Sequence, residues 1–273
     1  MGGLYGLLGV GLSIQWGVMK IANVALPAFT FLAAYVTFWS KHLYDFDPFF
    51  SIIIVIPISF VIGLAIYFFL HVTKVKPLQM LLVAFGFLLI FEGGMTAAWT
   101  GDMRAISTVY SEVAYQLGTF NIPLVRLLAF VVGVGILGLI YFLFERTYVG
   151  KGIRAIVDNR TVAMMYGINP HRTFPAIFGL ATVLASVAGV FVGLTYSFTP
   201  QSTFIWLGKI LAIVVLAGMG SIKGVFAAGL ILALAENITG SILPVAWSDF
   251  VSYIILIFVL LIKPMGISGR SYE

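Results

Sequence analysis

The sequence predicts an all-α, polytopic membrane protein that forms a single transmembrane domain over residues 1–273. Of its 273 residues, 61% are hydrophobic and only 9% are charged. The mean hydropathy is +1.11, well above that of soluble domains. Apolar runs of about 17–25 residues, the length at which a helix crosses a bilayer, recur along the chain. No polar stretch is long enough to fold as a separate soluble domain.

Nine apolar runs are candidate membrane spans. The first run lacks the basic segment and small-residue cleavage site of a secretory signal, so we expect it to remain in the mature protein. Lys20 alone separates the first two runs, and Ser221 to Lys223 separate the seventh from the eighth, so eight to ten spans are compatible with the pattern. The runs cover 1–19, 21–39, 49–70, 78–99, 123–144, 173–197, 203–219, 224–240 and 246–262.

The basic residues predict the orientation of the chain, because short loops rich in Lys and Arg stay on the cytoplasmic side. Eleven of the fifteen Lys and Arg residues lie inside if the connections at 20, 74–76, 145–172 and 223 and the C-terminus face inward. Lys41, Arg104, Arg126 and Lys209 then lie on or near the outer face. The bias predicts an N-terminus outside, a C-terminus in the cytoplasm and an odd number of spans.

The second run predicts a broken helix near residues 23–27. Pro27 supplies no backbone N–H and disfavours helical geometry at Leu26. Unpaired backbone groups are tolerated inside a membrane only where they are buried in protein or line a cavity. A helix restarting after Pro27 would also direct free N–H groups towards a bound carboxylate. The break is therefore a candidate substrate site, with a plain proline kink as the alternative; its residues are Asn23, Val24, Ala25, Leu26 and Pro27.

Two carboxylates stand inside apolar runs. An ionised Glu92 or Glu236 at that depth is costly unless it faces a cavity or a partner, so each is a functional candidate. Glu92 is expected to line the translocation path. The alternative is a protonated or hydrogen-bonded structural carboxyl. The spacing of Ala185, Gly189 and Gly193 predicts close helix packing, within the chain or between chains.

The sequence lacks the residues that metal binding, nucleotide binding and hydrolytic catalysis require. The chain has no cysteine, and His42, His71 and His171 lie in different loops that do not share one membrane face, so no metal site is predicted. No phosphate-binding loop and no Ser, His and acid grouping occurs. Cationic loops on one face account for the net charge of +5 without nucleic acid. The chain is therefore not expected to be an enzyme or to bind a cofactor itself.

The segment 145–172 is the longest loop predicted to face inward. Apolar Ile153, Ile156 and Val157 alternate with Arg154 and Asp158, which predicts a short amphipathic helix on the membrane surface or against a partner. Asn169-Pro170 is expected to end that helix before the next span begins.

Four motifs resemble the permease subunits of branched-chain amino acid ABC transporters, and they occur along the chain in the same order as in that family. Residues 150–159 and 163–169 are similar to the family's cytoplasmic loop, and 216–224 to its glycine-rich hairpin. Residues 260–270 match the usual ending, and 23–25 with 32–35 resemble the early segment I-N-x-A-H-G-E. The His-Gly-Glu of that segment is replaced by Leu26-Pro27-Ala28, which removes polar groups from the candidate site, and Lys223 replaces the usual proline after Gly-Ser-Ile.

The resemblance implies roles for two further groups of residues. The hairpin residues Gly218, Gly220 and Ser221 are implied to take part in substrate binding. The cytoplasmic loop is implied to couple transport to ATPase subunits through Gly150, Lys151, Arg154, Ala155, Asp158, Asn159, Ala163, Gly167, Ile168 and Asn169.

The resemblance also implies the partners and the function. A permease of this family lies in the cell inner membrane beside a second, homologous permease chain, as a heterodimer or a homodimer. Two cytoplasmic ATP-binding subunits use the ATP, and an extracytoplasmic binding protein delivers the solute. The expected solutes are branched-chain or other hydrophobic amino acids, or related small carboxylates or amides. The alternatives are a stand-alone ion- or proton-coupled transporter or channel using Glu92 and Glu236, and a structural membrane subunit.

Overall fold

The computed structural model describes residues 1–273 except 74–76, 109, 111–112, 118–119, 219, 245, 264–265 and 267–273. The described residues form eleven helices and one antiparallel two-stranded hairpin, which confirms the all-α prediction. In chain order these are α1 (Gly2–Met19), α2 (Leu26–Tyr44), α3 (Ser51–Val72), α4 (Pro77–Trp99), β1 (Ala114–Leu117), β2 (Phe120–Pro123), α5 (Leu124–Arg146), α6 (Tyr148–Asp158), α7 (Arg160–Met165), α8 (Pro170–Thr195), α9 (Ser202–Ala217), α10 (Ile222–Ile242) and α11 (Ala246–Ile262).

Each of the nine apolar runs overlaps one helix, so the protein is a multi-pass membrane protein. Among the described residues, five helices are long and apolar enough to cross a bilayer, namely α3, α4, α5, α8 and α10. Helices α9 and α11 are apolar but shorter. The number of nine spans therefore remains a prediction. The hairpin of β1 and β2 was not predicted.

Helix α8 lies at the centre of the molecule, where it packs against α1, α2 and α3. Glycines let α2 approach it closely: a Cβ at Gly189 would lie 2.0 Å from the carbonyl oxygen of Thr30, and one at Gly193 would lie 3.0 Å from Ala34 Cβ. The predicted close packing through small residues is thus confirmed within the chain.

A second packing centre joins α1 to α9, α10 and α11. Helices α1 and α10 cross in contact, since a Cβ at Gly229 would lie 2.9 Å from the backbone nitrogen of Gly6. Helix α11 packs on both α9 and α10. The first half of α1 is almost completely buried by these neighbours.

The bundle has two ends, which we name after a residue at each. At the Arg154 end, α6 lies near the end of α1, and the rings of His71 and His171 stand 5.6 Å apart. The expectation that the histidines lie apart is thus wrong for this pair, because the last turn of α3 and the first turn of α8 meet there. At the Arg104 end, Arg104 forms an antiparallel bridge with Phe198. Within the described residues no group of three metal-ligating side chains occurs.

Candidate functional site

A non-helical stretch at residues 20–25 separates α1 from α2 and overlaps the break predicted near 23–27, although Leu26 and Pro27 already belong to α2. Helix α1 ends at Met19, Lys20 adopts the left-handed conformation with a φ of 56°, and α2 begins at Leu26 with Pro27 in its first turn. The side chains from Asn23 to Leu26 are buried, and Asn23 is only 1% exposed. The interruption is therefore enclosed by protein, as a break at membrane depth requires.

Contacts with α8 show how far along the bundle this break lies. Gln15 Nε2 donates to the carbonyl of Phe178 at 3.3 Å, so α1 ends near the first turns of α8. Ser186 Oγ donates to the carbonyl of Phe29 at 3.4 Å, which places the start of α2 about 24 Å along α8 from Pro170 at 1.5 Å per residue. Residues 20–25 thus lead the chain from the Arg154 end back to the middle of the bundle.

Three backbone N–H groups at the break have partners. The N–H of Ala25 donates to Asn23 Oδ1 at 3.1 Å, and the N–H of Leu26 donates to the Asn23 carbonyl at 3.3 Å. The N–H of Ala28 donates to the Ala25 carbonyl at 3.0 Å. By contrast, the buried Asn23 Nδ2 has no hydrogen-bond partner in the described part of the chain. The N–H groups of Leu26 and Ala28, which we had expected to be free at the start of the helix, are thus paired, and the side-chain amide of Asn23 is an unpartnered donor beside them.

Glu92 lies half-buried on α4. Its neighbour Phe91 packs against Phe29 of α2, with ring centroids 5.3 Å apart. The carbonyl of Glu92 accepts a hydrogen bond from Thr96 Oγ1 at 3.0 Å. The fold therefore brings the Glu92 turn of α4 against the first turns of α2, and a place for its carboxylate on the path stays a prediction.

The glycine-rich hairpin lies at the Arg154 end, close to the end of α1. Gly218 and Gly220 both have a φ of +87°, a conformation that favours glycine. The N–H of Gly220 donates to Ser13 Oγ at 2.9 Å, and a Cβ at Gly17 would lie 2.9 Å from Gly220 Cα. Ser221 Oγ caps α10 by accepting from the N–H of Gly224 at 3.1 Å.

A cavity of about 390 Å³ lies between this hairpin and α6, with both charged and apolar walls. Gly220, Ser221, Arg154 and Asp158 share it with Glu145. The fold therefore brings the candidate substrate-binding hairpin together with the candidate coupling residues. The substrate-binding role of the hairpin remains a prediction.

The segment 145–172 contains two helices where the sequence predicted one. Ile153 and Ile156 form the buried face of α6. A Cβ at Gly150 would lie 2.1 Å from the carbonyl oxygen of Phe144. Only glycine permits α6 to cross the end of α5 this closely. Arg154 forms an ion pair with Glu145 and donates to its backbone carbonyl at 3.2 Å.

The other candidate coupling residues shape the turns of this segment. Asn159 Oδ1 caps α7 by accepting from the N–H groups of Thr161 and Val162, and Asn169 Oδ1 caps α8. Asn169 is therefore the N-cap of α8, whereas α7 already ends at Met165, before the Asn169-Pro170 pair that we had expected to end it. Lys151, Asp158 and Gly167 are exposed, Ala155 and Ile168 are half-buried, and Ala163 is buried.

A buried ion cluster lies towards the Arg104 end, where α1 meets α9, α10 and α11. Lys209 Nζ lies 3.2 Å from Glu236 and 2.7 Å from Asp249. The Glu236 carboxylate also accepts hydrogen bonds from Tyr5 and Ser252. Glu236 is thus a paired carboxylate, as its structural alternative predicted. From the sequence we had placed Lys209 near the outer membrane face. A lone lysine inside an apolar run was the signal that could have indicated a buried ion pair.

Residues 1–260 match the family model for the permease component of the branched-chain amino acid transport system. The chain belongs to this family. As a member of this family, the chain is a multi-pass membrane protein of the permease component. No solved structure matches the chain at a significant level.

Named relatives agree with the family. The permease is 38% identical over 122 residues to the high-affinity branched-chain amino acid transport system permease protein LivH of Escherichia coli, a match that covers 44% of this chain and 40% of that protein. It is 24% identical to BraD of Pseudomonas aeruginosa over 99% of this chain and 93% of BraD. A probable LivH of Methanocaldococcus jannaschii is 25% identical over 98% and 89%.

Proposed function

We propose that this chain is the permease subunit of an ATP-driven importer for branched-chain or other hydrophobic amino acids or related small carboxylates. It would work in the cell inner membrane beside a second permease chain, two cytoplasmic ATPase subunits and a solute-binding protein outside. The N-terminus and the Arg104 end would face outward, and the Arg154 end would face the cytoplasm. The observation that carries this proposal is the buried break, with the unpartnered Asn23 amide, in a chain of the permease family.

The chemistry of the break suits an amino acid with an apolar side chain. Asn23 Nδ2 is a donor that a carboxylate satisfies, and a buried donor without a partner favours a ligand that accepts its hydrogen bond. The surrounding Val24, Leu26 and Ala28 are apolar. Such walls favour a hydrophobic solute and disfavour small polar amides, whose remaining polar groups would stay unpaired.

The surface of α6 and α7 supports ATPase docking. Apolar side chains stand exposed there beyond the membrane-spanning helices, with Tyr148 91%, Met165 80% and Tyr166 83% exposed. An apolar patch outside the bilayer indicates a protein interface. The charged cavity beneath α6 adjoins both α1 and the Gly218–Ser221 hairpin, which gives movement of α6 a direct route to the helix that precedes Asn23.

Reconstitution of the permease with its ATPases and binding protein in liposomes tests the proposal. We expect ATP-dependent leucine uptake, and Asn23→Leu should lower it at least about tenfold because the donor to the carboxylate is lost. Asn237→Leu is the matched control, since Asn237 Nδ2 donates to the carbonyl of its own helix at Ala233. Normal uptake by Asn23→Leu would move the solute site elsewhere, and the hairpin at 218–221 would be examined next.

The proton-coupled alternative depends on Glu92 and Glu236. Glu236 is held by Lys209, so it is not a free proton carrier in this conformation. The same liposomes separate the two mechanisms, because uptake driven by a pH gradient without ATP and abolished by Glu92→Gln would contradict the importer. The importer predicts that Glu92→Gln changes affinity at most.

A further inference from the structure

Three buried polar atoms without a hydrogen-bond partner lie at the Arg104 end of α2. They are Tyr35 OH, Trp39 Nε1 and Arg104 Nε, all unpaired within the described residues. Tyr35 is 0% exposed. Buried polar atoms in folded proteins nearly always have a partner, so three unpaired atoms in one region indicate a ligand that supplies it.

The fold brings these residues together from distant parts of the chain. Tyr35 and Trp39 are one helical turn apart on α2 and therefore share a face. Trp99 stacks on the ring of Tyr35 with centroids 4.9 Å apart, and Phe198 meets its edge at 5.0 Å. These rings form an apolar wall against the ring of Tyr35.

Backbone bonds fix Arg104 beside this wall. Its N–H donates to the carbonyl of Phe198, and the N–H of Phe198 donates back to the carbonyl of Arg104, both at 2.9 Å. Its guanidinium lies 5.5 Å from the ring centroid of Phe38, the residue before Trp39. It also lies within electrostatic range of Tyr35.

The turn after α4 orients the guanidinium. Thr100 adopts a φ of 66°, which is uncommon for a β-branched residue and is typical of strained functional sites. Its hydroxyl donates to Asp102 at 2.5 Å and accepts from Arg104 Nη2 at 3.4 Å. Asp102 is itself 3.6 Å from Nη2 and largely exposed. These contacts engage Nη2 on the solvent side and leave Nε for the buried side.

The unpaired atoms define the chemistry of the ligand. The indole and guanidinium N–H groups only donate, and the tyrosine hydroxyl can donate as well. A ligand that satisfies all three must present acceptors, and a carboxylate accepts several hydrogen bonds and balances the charge of Arg104. We propose that Tyr35, Trp39 and Arg104 form an entry site that binds the carboxylate of the solute before it reaches Asn23.

The inference rests on the proposed function, and it adds a second binding site, on α2, to the one at Asn23. Tyr35 lies about 13 Å along α2 from Leu26, at 1.5 Å per residue. A solute entering from the Arg104 end would meet this site first.

Binding of two probes to the purified full-length permease in lipid nanodiscs tests the site. Leucine and 3-methylbutylamine carry the same branched chain, but only leucine has a carboxylate. Isothermal titration calorimetry should detect leucine binding and little binding of the amine. Tyr35→Phe and Trp39→Phe each remove one donor while keeping a ring, and each should weaken leucine binding at least about tenfold. Tyr110→Phe is the control, because its hydroxyl lies at the same end but donates to Asp47.

The outcomes separate this site from the proposed function. Unchanged leucine affinity in both Tyr35→Phe and Trp39→Phe, or equal binding of the amine, would overturn the site and leave ordered water as the partner of the three atoms. Import that persists in these variants at unaltered leucine affinity leaves the proposed function intact. Failure of the wild-type complex to import leucine with ATP, while the nanodisc protein binds leucine through these residues, overturns the importer alone.

Discussion

The ammonium of Lys209 lies 3.2 Å from the carboxylate of Glu236, and both side chains are more than nine-tenths buried. Removing one member of a buried pair leaves an uncompensated charge, which costs about 3–5 kcal/mol. We therefore expect Lys209→Met to lower the thermal unfolding midpoint strongly, and the double variant with Glu236→Gln to recover most of the loss. Unfolding of the nanodisc protein followed by circular dichroism measures both.

Lys41→Met provides the control for this prediction. Lys41 also pairs with a carboxylate, Asp45, at 2.5 Å, but the Asp45 side chain is 89% exposed. Such surface pairs contribute about 0–1 kcal/mol. Equal midpoints for Lys209→Met and Lys41→Met would show that the buried cluster does not stabilise the fold.

Gly150→Ala should displace α6 from α5. The added Cβ would lie 2.1 Å from the carbonyl oxygen of Phe144, and backbone does not move away cheaply. We expect a loss of about 1–3 kcal/mol, as in overpacked cores, together with reduced solute-stimulated ATP hydrolysis in the reconstituted complex. Gly152→Ala on the same helix is the control, because its Cβ would make an ordinary 3.7 Å contact with Ile168. Full ATPase stimulation in Gly150→Ala would remove the tight crossing from the coupling mechanism.

Arg154 forms an ion pair with Glu145 that holds α6 against the end of α5, and we call this pair the clamp. Charge reversal can distinguish a role in the clamp from a contact with the ATPase subunit. Arg154→Glu should reduce solute-stimulated ATP hydrolysis, because the like charges at 154 and 145 would push α6 away from the end of α5. If the clamp is its role, Glu145→Arg combined with Arg154→Glu restores the stimulation. If the double variant stays as impaired as the single one, Arg154 acts on the ATPase subunit instead.

The hydroxyl of Tyr110 donates to Asp47 at 2.7 Å, outside the membrane-spanning helices. This hydrogen bond, with the nearby negative charge, raises the pKa of Tyr110 above its usual 10. The bond therefore stabilises the fold below about pH 10, the unfolded value, and is lost as the pH rises through the higher folded value. Difference absorbance titration of the wild type against Tyr110→Phe gives the pKa of this phenol, and Asp47→Asn should lower it. An unchanged pKa in Asp47→Asn would mean that another group raises it.

The helices were largely predictable because hydropathy runs of this length have few alternatives in a membrane chain. The start of α2 was less predictable from the sequence. The run 21–39 begins five residues before the helix, because Ala22, Val24 and Ala25 are apolar although they lie in the break. Pro27 nevertheless located the interruption, because its missing N–H acts locally.

The side-chain clusters could not be predicted, because they depend on tertiary contacts. Glu236 was recognised as a buried carboxylate, but its partner Lys209 lies on another helix, and hydropathy treats each charge alone. Tyr35 and Arg104 are likewise far apart in sequence. The available signal was the pair Tyr35 and Trp39 at helical spacing inside an apolar run, where an indole N–H and a phenol need partners.

Helix α8 has the geometry of a lever. Pro175 removes one backbone hydrogen bond near the Arg154 end, so the helix can bend there, and the 20 residues beyond it rise about 30 Å. A tilt of roughly 5° at this pivot moves the far end by about 2.6 Å at that length. Because α2 is pressed against α8 at Gly189, the same tilt carries Asn23 and Tyr35 together. A small rotation about Pro175 would thus become an ångström-scale displacement at the opposite surface, with no relay of side chains between them.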